Sequence, residues 1–323
     1  MALTSFRFHG GINLNIAYAS DDNFVDVMLV SIMSFNDHNS DATIYILDCG
    51  ITEQNKQKIL ELCSGKNTVL FVDAKKKLSE IDCKLNLDRG SIAAYARLFI
   101  GSMVPKKVEK ILYLDSDTLI RGKLEELFSV NLTPHAIGGV RDSFSMMNKR
   151  VFGIKKGDLF INSGVLLIDL REWRNERIED KIFDLLSKKS KIFQGDQGVI
   201  NSIFHGNVHE LPLKYDVLTY LYDFTYEEMM LYRNPDNYFS KEAIKEAIAE
   251  PLIVHFSSSY KSLRPWEDGQ CKHPFLEEWD KYFMITKASK KATNKKNRHI
   301  TRMNLILARV IHAYIRPFIN MSS

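Results

Sequence analysis

Two aspartates stand one residue apart at the end of an apolar run: Ile111-Leu112-Tyr113-Leu114 is followed by Asp115-Ser116-Asp117. An apolar run of this kind reads as a buried strand, and the carboxylates mark where it meets a charged site. In an extended segment alternate side chains share a face, so Asp115 and Asp117 are expected to point the same way. Two carboxylates on one face repel each other unless a cation lies between them. Hard oxygen ligands suit Mg²⁺ or Mn²⁺, ions that keep waters and also take substrate phosphates. The spacing therefore points to a metal-diphosphate site. Asp-x-Asp pairs also form turns and helix caps, so other segments must supply partners before that chemistry follows.

The elements that must position this pair are legible from the alternation of patterns. Leu14–Ala19, Ala42–Asp48, Thr68–Asp73 and Ile111–Leu114 read as strands. Val25–Phe35, Thr52–Cys63 and Ser91–Ile100 read as helices between them. This order predicts an α/β fold with a mostly parallel central sheet and helices on both faces. Ligands in such sheets bind beyond the carboxyl ends of the strands. Asp21, Asp22 and Asn23 fall at one such end and Asp115 and Asp117 at another, so the two groups can share a crevice. Past Ser129 the spacing predicts strands over Ala136–Val140, Val165–Ile168 and Leu252–Phe256. It predicts helices over Glu172–Ser187 and Asp196–Phe204.

Composition narrows the classes. The length of 323 residues suits one large domain with an appendage, and 45% hydrophobic residues suffice for a full core. A net charge of +4 is too small to argue for a nucleic-acid partner. Cys49, Cys63, Cys83 and Cys271 lack metal-ligand spacing, and reduced thiols in a cytosolic protein are expected. No secretory signal is visible in Met1–Gly11, and no apolar run is long enough to span a bilayer.

Leu114-Asp115-Ser116-Asp117-Thr118-Leu119 resembles the nucleophile motif of haloacid-dehalogenase-type phosphatases, in which the first Asp becomes phosphorylated. That family carries the motif near the start of its core domain and needs a later acidic pair. Here several strands come first, and Gly195-Asp196 is followed by Ile200 where the second acid belongs. A different resemblance covers about Asn15 to Phe283. It rests on Ala19-Ser20-Asp21-Asp22-Asn23, Ala94-Tyr95-Ala96-Arg97-Leu98, Leu112–Asp117, Ile161-Asn162-Ser163-Gly164-Val165-Leu166-Leu167, Gly195-Asp196-Gln197-Gly198, and Val254-His255-Phe256 with Lys261 and Pro265-Trp266. Together and in this order they resemble the retaining glycosyltransferases of family 8. That group holds bacterial lipopolysaccharide α-galactosyl- and α-glucosyltransferases and the glycogenins.

The resemblance implies a GT-A nucleotide-sugar-binding fold and transfer of glucose or galactose from UDP to a cell-envelope oligosaccharide or glycolipid, with an α linkage. It implies Asp115, Asp117 and His255 as ligands of Mn²⁺ or Mg²⁺. It places Asp21, Asn23, Arg97 and Asn162 on the donor, and Asp196 and Gln197 as catalytic residues near the anomeric carbon. Retention then has two routes: a double displacement, for which Asp196 is the better nucleophile and Gln197 offers only an amide oxygen, or same-face attack with the departing phosphate taking the acceptor proton. On their own chemistry, Asp21 and Asn23 can either read a uracil edge or cap the next helix. Relatives have a Gly soon after the His and then an uninterrupted Lys-Pro-Trp. This chain has Ser258 near the Gly position and Ser262-Leu263-Arg264 between Lys261 and Pro265, so either Lys261 or Arg264 can face the diphosphate. A UDP-sugar-binding protein without catalysis is the further alternative.

The last segment differs in character. Lys287, Lys290, Lys291, Lys295, Lys296, Arg298 and Arg302 crowd a stretch nearly free of acids, and Asn304–Ile319 carries a helical apolar period. The expected division is a catalytic domain over 1–284 and a basic amphipathic tail over 285–323. Such a tail suits an anionic membrane surface, and with it a peripheral position on the cytoplasmic face.

Overall fold

The computed structural model describes residues 14–63, 65–79, 91–188, 192–268, 271–293 and 295–315, and Ile319. Cys83 and part of the expected C-terminal helix lie outside them. Seven strands form the main sheet: β1 Asn15–Ser20, β2 Thr43–Asp48, β3 Thr68–Asp73, β4 Lys110–Leu114, β6 Ile137–Arg141, β7 Ile161–Asp169 and β8 His209–Leu211. Their order is β3-β2-β1-β4-β7-β6-β8, parallel except at β7, which runs against both neighbours. A smaller sheet joins β5 Thr118–Ile120, β9 Val217–Leu218 and β10 Ile253–His255. Two short strands, β11 Glu267–Asp268 and β12 Lys291–Ala292, pair with each other.

The reversal at β7 matters for function. Leu114 pairs with Val165, so the first residues of β7, Ile161 to Gly164, overrun the carboxyl end of β4. Asn162, Ser163 and Gly164 thus stand beside Asp115. All nine residues of β7 are buried, consistent with helices on both faces of the sheet. The expected strand began only at Val165, because Asn162-Ser163-Gly164 breaks the apolar run.

The helix Val25–His38 is buried nearly all round and connects the sheet to the smaller one. Its two interior serines are satisfied there. Ser31 Oγ lies 2.7 Å from Thr118 Oγ1 and donates to Tyr18 OH, while Ser34 Oγ accepts from Ile120 N–H at 3.0 Å. These contacts peg β5, and therefore the turn that precedes it, to the helix. A buried hydroxyl without such partners would carry an unmet desolvation penalty.

Several expected elements differ in detail. The chain turns at Ser116-Asp117 rather than continuing extended. Ser91–Ile100 is not one helix: Ala93–Ala96 passes into a tighter turn Arg97–Phe99, then Ile100–Met103. Arg97 Nε donates to Ala94 O, the acceptor that Leu98 N–H would use in a continuous α-helix. Glu172–Ser187 is likewise split into Leu170–Asn175 and Ile178–Lys188, with Arg177 at φ 53° between them. The guanidinium of Arg174 fixes the first piece by donating to the carbonyls of Gly101, Val104, Pro105, Lys106 and Val108. Helices Thr219–Asp223, Tyr226–Arg233 and Lys241–Ala249 were not anticipated. The second carries a capping box between Thr225 and Glu228.

Trp279 closes the layer behind β10. It is fully buried in the helix Leu276–Ile285, its ring 4.5 Å from Phe283 and 6.2 Å from Trp266. Trp279→Ala is expected to destabilise the protein by about 3–5 kcal/mol, as for other large-to-small aromatic core changes. Urea unfolding measures it; a loss under 1 kcal/mol would show that Trp279 is not a core element.

Candidate functional site

A cleft of about 830 Å³ opens over the carboxyl ends of β1 and β4. Asp21, Asn23, Arg97, Asp115, Asp117, Asn162, Asp196, Gln197, His255, Ser258 and Arg264 all line it. Residues more than two hundred positions apart meet here because β10 pairs antiparallel with β5. His255 is opposite Thr118, and Phe256 N–H donates to Asp117 O at 2.8 Å.

The aspartate pair converges on His255. Nε2 lies 3.2 Å from Asp117 Oδ1 and 3.8 Å from Asp115 Oδ2, and one ligand atom from each residue falls within 4.8 Å of the others. The convergence comes from the turn and not from strand pleat. The other imidazole nitrogen, Nδ1, is 2.8 Å from Asp216 Oδ1 on a fully buried carboxylate. A carboxylate behind an imidazole fixes the ring and raises its basicity toward a metal. Burial opposes charge on His255, but Asp117 and Asp216 outweigh it and hold the imidazole well above its ordinary pKa. Gly164 leaves the space: a Cβ there would overlap His255 Cε1 and sit 2.8 Å from Asp115 Oδ2. Two carboxylates, one imidazole and a side-chain-free cradle fit a divalent ion of the Mn²⁺ type.

Arg97 organises the next layer. Its guanidinium donates to Asp115 Oδ1 at 2.6 Å and to Ser163 O at 2.5 Å, lies 3.1 Å from Asp196 Oδ2, and stacks 4.4 Å over Tyr113. Burial alone would lower its pKa, but Asp115 and Asp196 raise it, so the charge is permanent. Asp196 is pushed up by burial and pulled back by Arg97, and Ser163 Oγ donates to it at 2.9 Å. It reaches the cleft because the N-cap Gln194 and the first helical residue, Gly195, both take positive φ where the helix Gly195–Phe204 starts. The amide of Gln197 is also held: Oε1 accepts from Asn162 Nδ2 and Ser163 N–H, and Nε2 donates to Asp142 Oδ2 at 3.1 Å.

Asp142, Asp216 and Arg233 escaped the sequence reading. Asp142 is buried and accepts from Gln197, Tyr220 OH and Arg233. Arg233 also donates to Ser143 Oγ and stands against the rings of Phe144, Tyr220 and Tyr232. Asp142, Phe144, Tyr220, Tyr232 and Arg233 line the cleft together with His312. Asp142 stands one residue beyond the expected strand Ala136–Val140, after Arg141, and its place just past a strand end was the available signal.

Asp21 accepts from Asn23 N–H at 3.0 Å, so it caps the following turn while facing the cleft. Asp22 turns away to Thr52 N–H and Asn55. Lys261 does not line the cleft. Its ammonium donates to Asp223 O at 2.5 Å and lies 5.6 Å from the Phe224 ring. Arg264 lines the cleft, 5.2 Å over Trp266. Of the two cations, then, only the one directly before Pro265-Trp266 reaches the cleft. Lys261 is held at the Asp223 carbonyl, while Arg264 rests on the buried Trp266.

The seven-stranded sheet with its cleft beyond the strand ends has the GT-A architecture. The model of glycosyl transferase family 8 matches residues 15–269, and the chain belongs to that family. It is 24% identical to general stress protein A of Bacillus subtilis, over 85% of this chain and 94% of that one. It is 26% identical to lipopolysaccharide 1,2-glucosyltransferase of Escherichia coli K12, over 78% of this chain and 73% of that one. The galactosyltransferase LgtC, solved with donor and acceptor sugar analogues, shares the fold with a TM-score of 0.68 and 24% identity, over 84% and 96% of the two chains. Membership displaces the phosphatase reading of Asp115.

Gly164→Ala tests the cradle. The variant is expected to stay folded by circular dichroism and to bind Mn²⁺ at least tenfold more weakly, about 1.4 kcal/mol, because the methyl forces His255 or Asp115 aside. Wild-type Mn²⁺ affinity by titration calorimetry would remove the three-ligand assignment.

Proposed function

We propose that the chain is a Mn²⁺-dependent retaining hexosyltransferase that moves glucose or galactose from UDP to a cell-envelope oligosaccharide such as a lipopolysaccharide core. The observation that carries this reading is the convergence of Asp115, Asp117 and His255 beside Arg97, within a cleft that also holds Asp21 and Asn23. Asp21 and Asn23 serve the uracil, Asn162 and Arg97 the sugar side, and Ser258 and Arg264 the diphosphate. A bound divalent ion would supply Lewis-acid stabilisation of the charge on the departing diphosphate. Asp115, Asp117 and His255 would hold it, and Asp216 orients the imidazole.

Retention can follow a double displacement through an enzyme nucleophile or attack from the face that the leaving group departs, and the residues favour the second. There the acceptor oxygen bonds to the anomeric carbon as the carbon–phosphate oxygen bond breaks, and the acceptor proton passes to the leaving phosphate. Supporting this, Asp196 is engaged by Arg97 and Ser163, and the Gln197 amide oxygen by Asn162 and Ser163. Neither is presented as a free nucleophile. Their role is to fix the floor of the sugar site.

The C-terminal segment supports a peripheral position at an anionic membrane. Met303, Leu307, Val310 and Ile311 are exposed, next to the cluster from Lys287 to Arg302. Among the described residues no helix is long and apolar enough to cross a membrane.

A donor-hydrolysis screen needs no acceptor. UDP-glucose or UDP-galactose is expected to release UDP with Mn²⁺ and not with chelator, and Asp117→Asn is expected to abolish the release. Binding of UDP and Mn²⁺ with neither hydrolysis nor transfer would favour the non-catalytic alternative. For the membrane, Leu307→Ser with Ile311→Ser is expected to reduce co-sedimentation with anionic vesicles while leaving donor hydrolysis unchanged. Failure of the wild type to sediment with them ends that part of the reading.

A further inference from the structure

One wall of the cleft comes from beyond the family match, which stops at residue 269, and beyond the boundary expected at 284. Lys291 lines the cleft. Its backbone N–H donates to Trp266 O at 2.7 Å as β12 pairs with β11. Its ammonium lies 3.0 Å from Asn23 O and 5.5 Å from the Phe24 ring. Phe24 and Trp266 meet edge to face at 5.4 Å, and Arg264 stands over Trp266. The two cations therefore flank one aromatic pair on the same rim.

The same segment grips the loop that carries Arg264. Asn297 Oδ1 accepts from Leu263 N–H at 3.1 Å, and Arg298 N–H donates to Lys261 O at 2.9 Å. Lys295 pairs with Glu267 at 2.6 Å, and Arg298 stacks 5.1 Å over Tyr260. These contacts run along residues 260–267, the stretch where the chain departs from the pattern of its relatives. A loop so lengthened has more freedom to lose when it orders over a ligand, and the contacts from the C-terminal side restrict it beforehand.

We propose that residues 290–293 and 295–298 are a strap belonging to the donor site, and that Lys291 is a second diphosphate-binding cation beside Arg264. The inference rests on the UDP-sugar reading above. Lys291 has the reach and the chemistry: a flexible four-carbon stem, three donors, and at present a neutral carbonyl as partner. A diphosphate oxygen is the stronger acceptor for an ammonium. Lys261 is held at Asp223, so the strap supplies the positive charge that this lysine does not.

The test uses the full chain with Mn²⁺ and compares UDP with uridine by titration calorimetry or competition. Lys291→Ala and Lys291→Gln are expected to weaken UDP about three- to tenfold, the size of one solvent-facing charge-assisted hydrogen bond. Uridine affinity is expected to be unchanged, and Lys291→Arg to restore most of the loss. A Lys295→Ala, Asn297→Ala double variant keeps Lys291 and is expected to weaken UDP through the loop. Wild-type UDP affinity in Lys291→Ala overturns the assignment, as does an equal loss for UDP and uridine, which would place the residue at the base. Unchanged affinity in the double variant removes the strap. If the wild type itself binds no UDP, the donor reading fails, and that result is distinct from the others.

Discussion

Charge balance among buried carboxylates is the constraint on which this cleft depends. Asp115, Asp117, Asp142, Asp196 and Asp216 gather where the two sheets meet, and most of their surface is withdrawn from water. Such a set is unstable without cations at close range. Arg97 answers Asp115 and Asp196, Arg233 answers Asp142, and His255 lies between Asp117 and Asp216. Removing one partner of a buried pair typically costs about 3–5 kcal/mol, since a charge is left unmatched. By that measure Arg97 is a structural element as much as a binding one. A divalent ion at Asp115 and Asp117, as proposed above, would offset the negative charge that these side chains leave over.

The topology delivers these groups from distant parts of the chain. A parallel sheet alone would bring the ends of β1 and β4 together and no more. The reversed β7 overruns β4, so that Ser163 offers its carbonyl to Arg97 and Gly164 leaves room for the metal ligands. The second sheet then carries His255 in from the far side, with Asp216 just before β9 and within reach of the ring. Ser31 and Ser34 of the central helix peg β5, so the turn holding Asp117 is fixed by the core. The turn of Asp115–Asp117 is thus held between β4 and β5, and His255 by β10, whereas Ser257–Arg264 adds a rim of irregular chain.

Much of this was legible in the sequence, for identifiable reasons. Apolar runs that stop at polar residues mark strand ends, and the rule that ligands bind beyond those ends located Asp21, Asn23, Asp115 and Asp117 without any relative. The antiparallel β7 was hidden because its entry, Ile161-Asn162-Ser163-Gly164, is polar for the sake of the cleft. Local pattern and tertiary role conflict there, as expected at functional positions. Asp216 gave no local signal, because its meaning depends on an imidazole thirty-nine positions away in the chain. The choice between Lys261 and Arg264 turned on which neighbour anchors the loop. Counting from His255 points to Lys261, whereas counting back from the buried Trp266 points to Arg264. A core tryptophan is the better reference, since its packing against Phe24 and Trp279 fixes position and a loop length does not.

The C-terminal segment has two faces, and they are mechanically connected. Inward, Leu305, Ala308 and Ala313 are buried, and His312 meets the ring of Tyr232 at 5.9 Å. Asn148 Nδ2 donates to His312 O at 3.1 Å, which ties the segment to the helix Met146–Val151. Outward, Met303, Leu307 and Ile311 remain in solvent. Free energy that favours the docked segment therefore also favours the placement of Lys291 and the loop beneath it. On the proposed role of the strap the relation would be reciprocal: a nucleotide held against it would stabilise its docking by the same amount that docking strengthens the nucleotide's binding. The segment's influence on the cleft thus follows from its contacts, whatever covers its outer face.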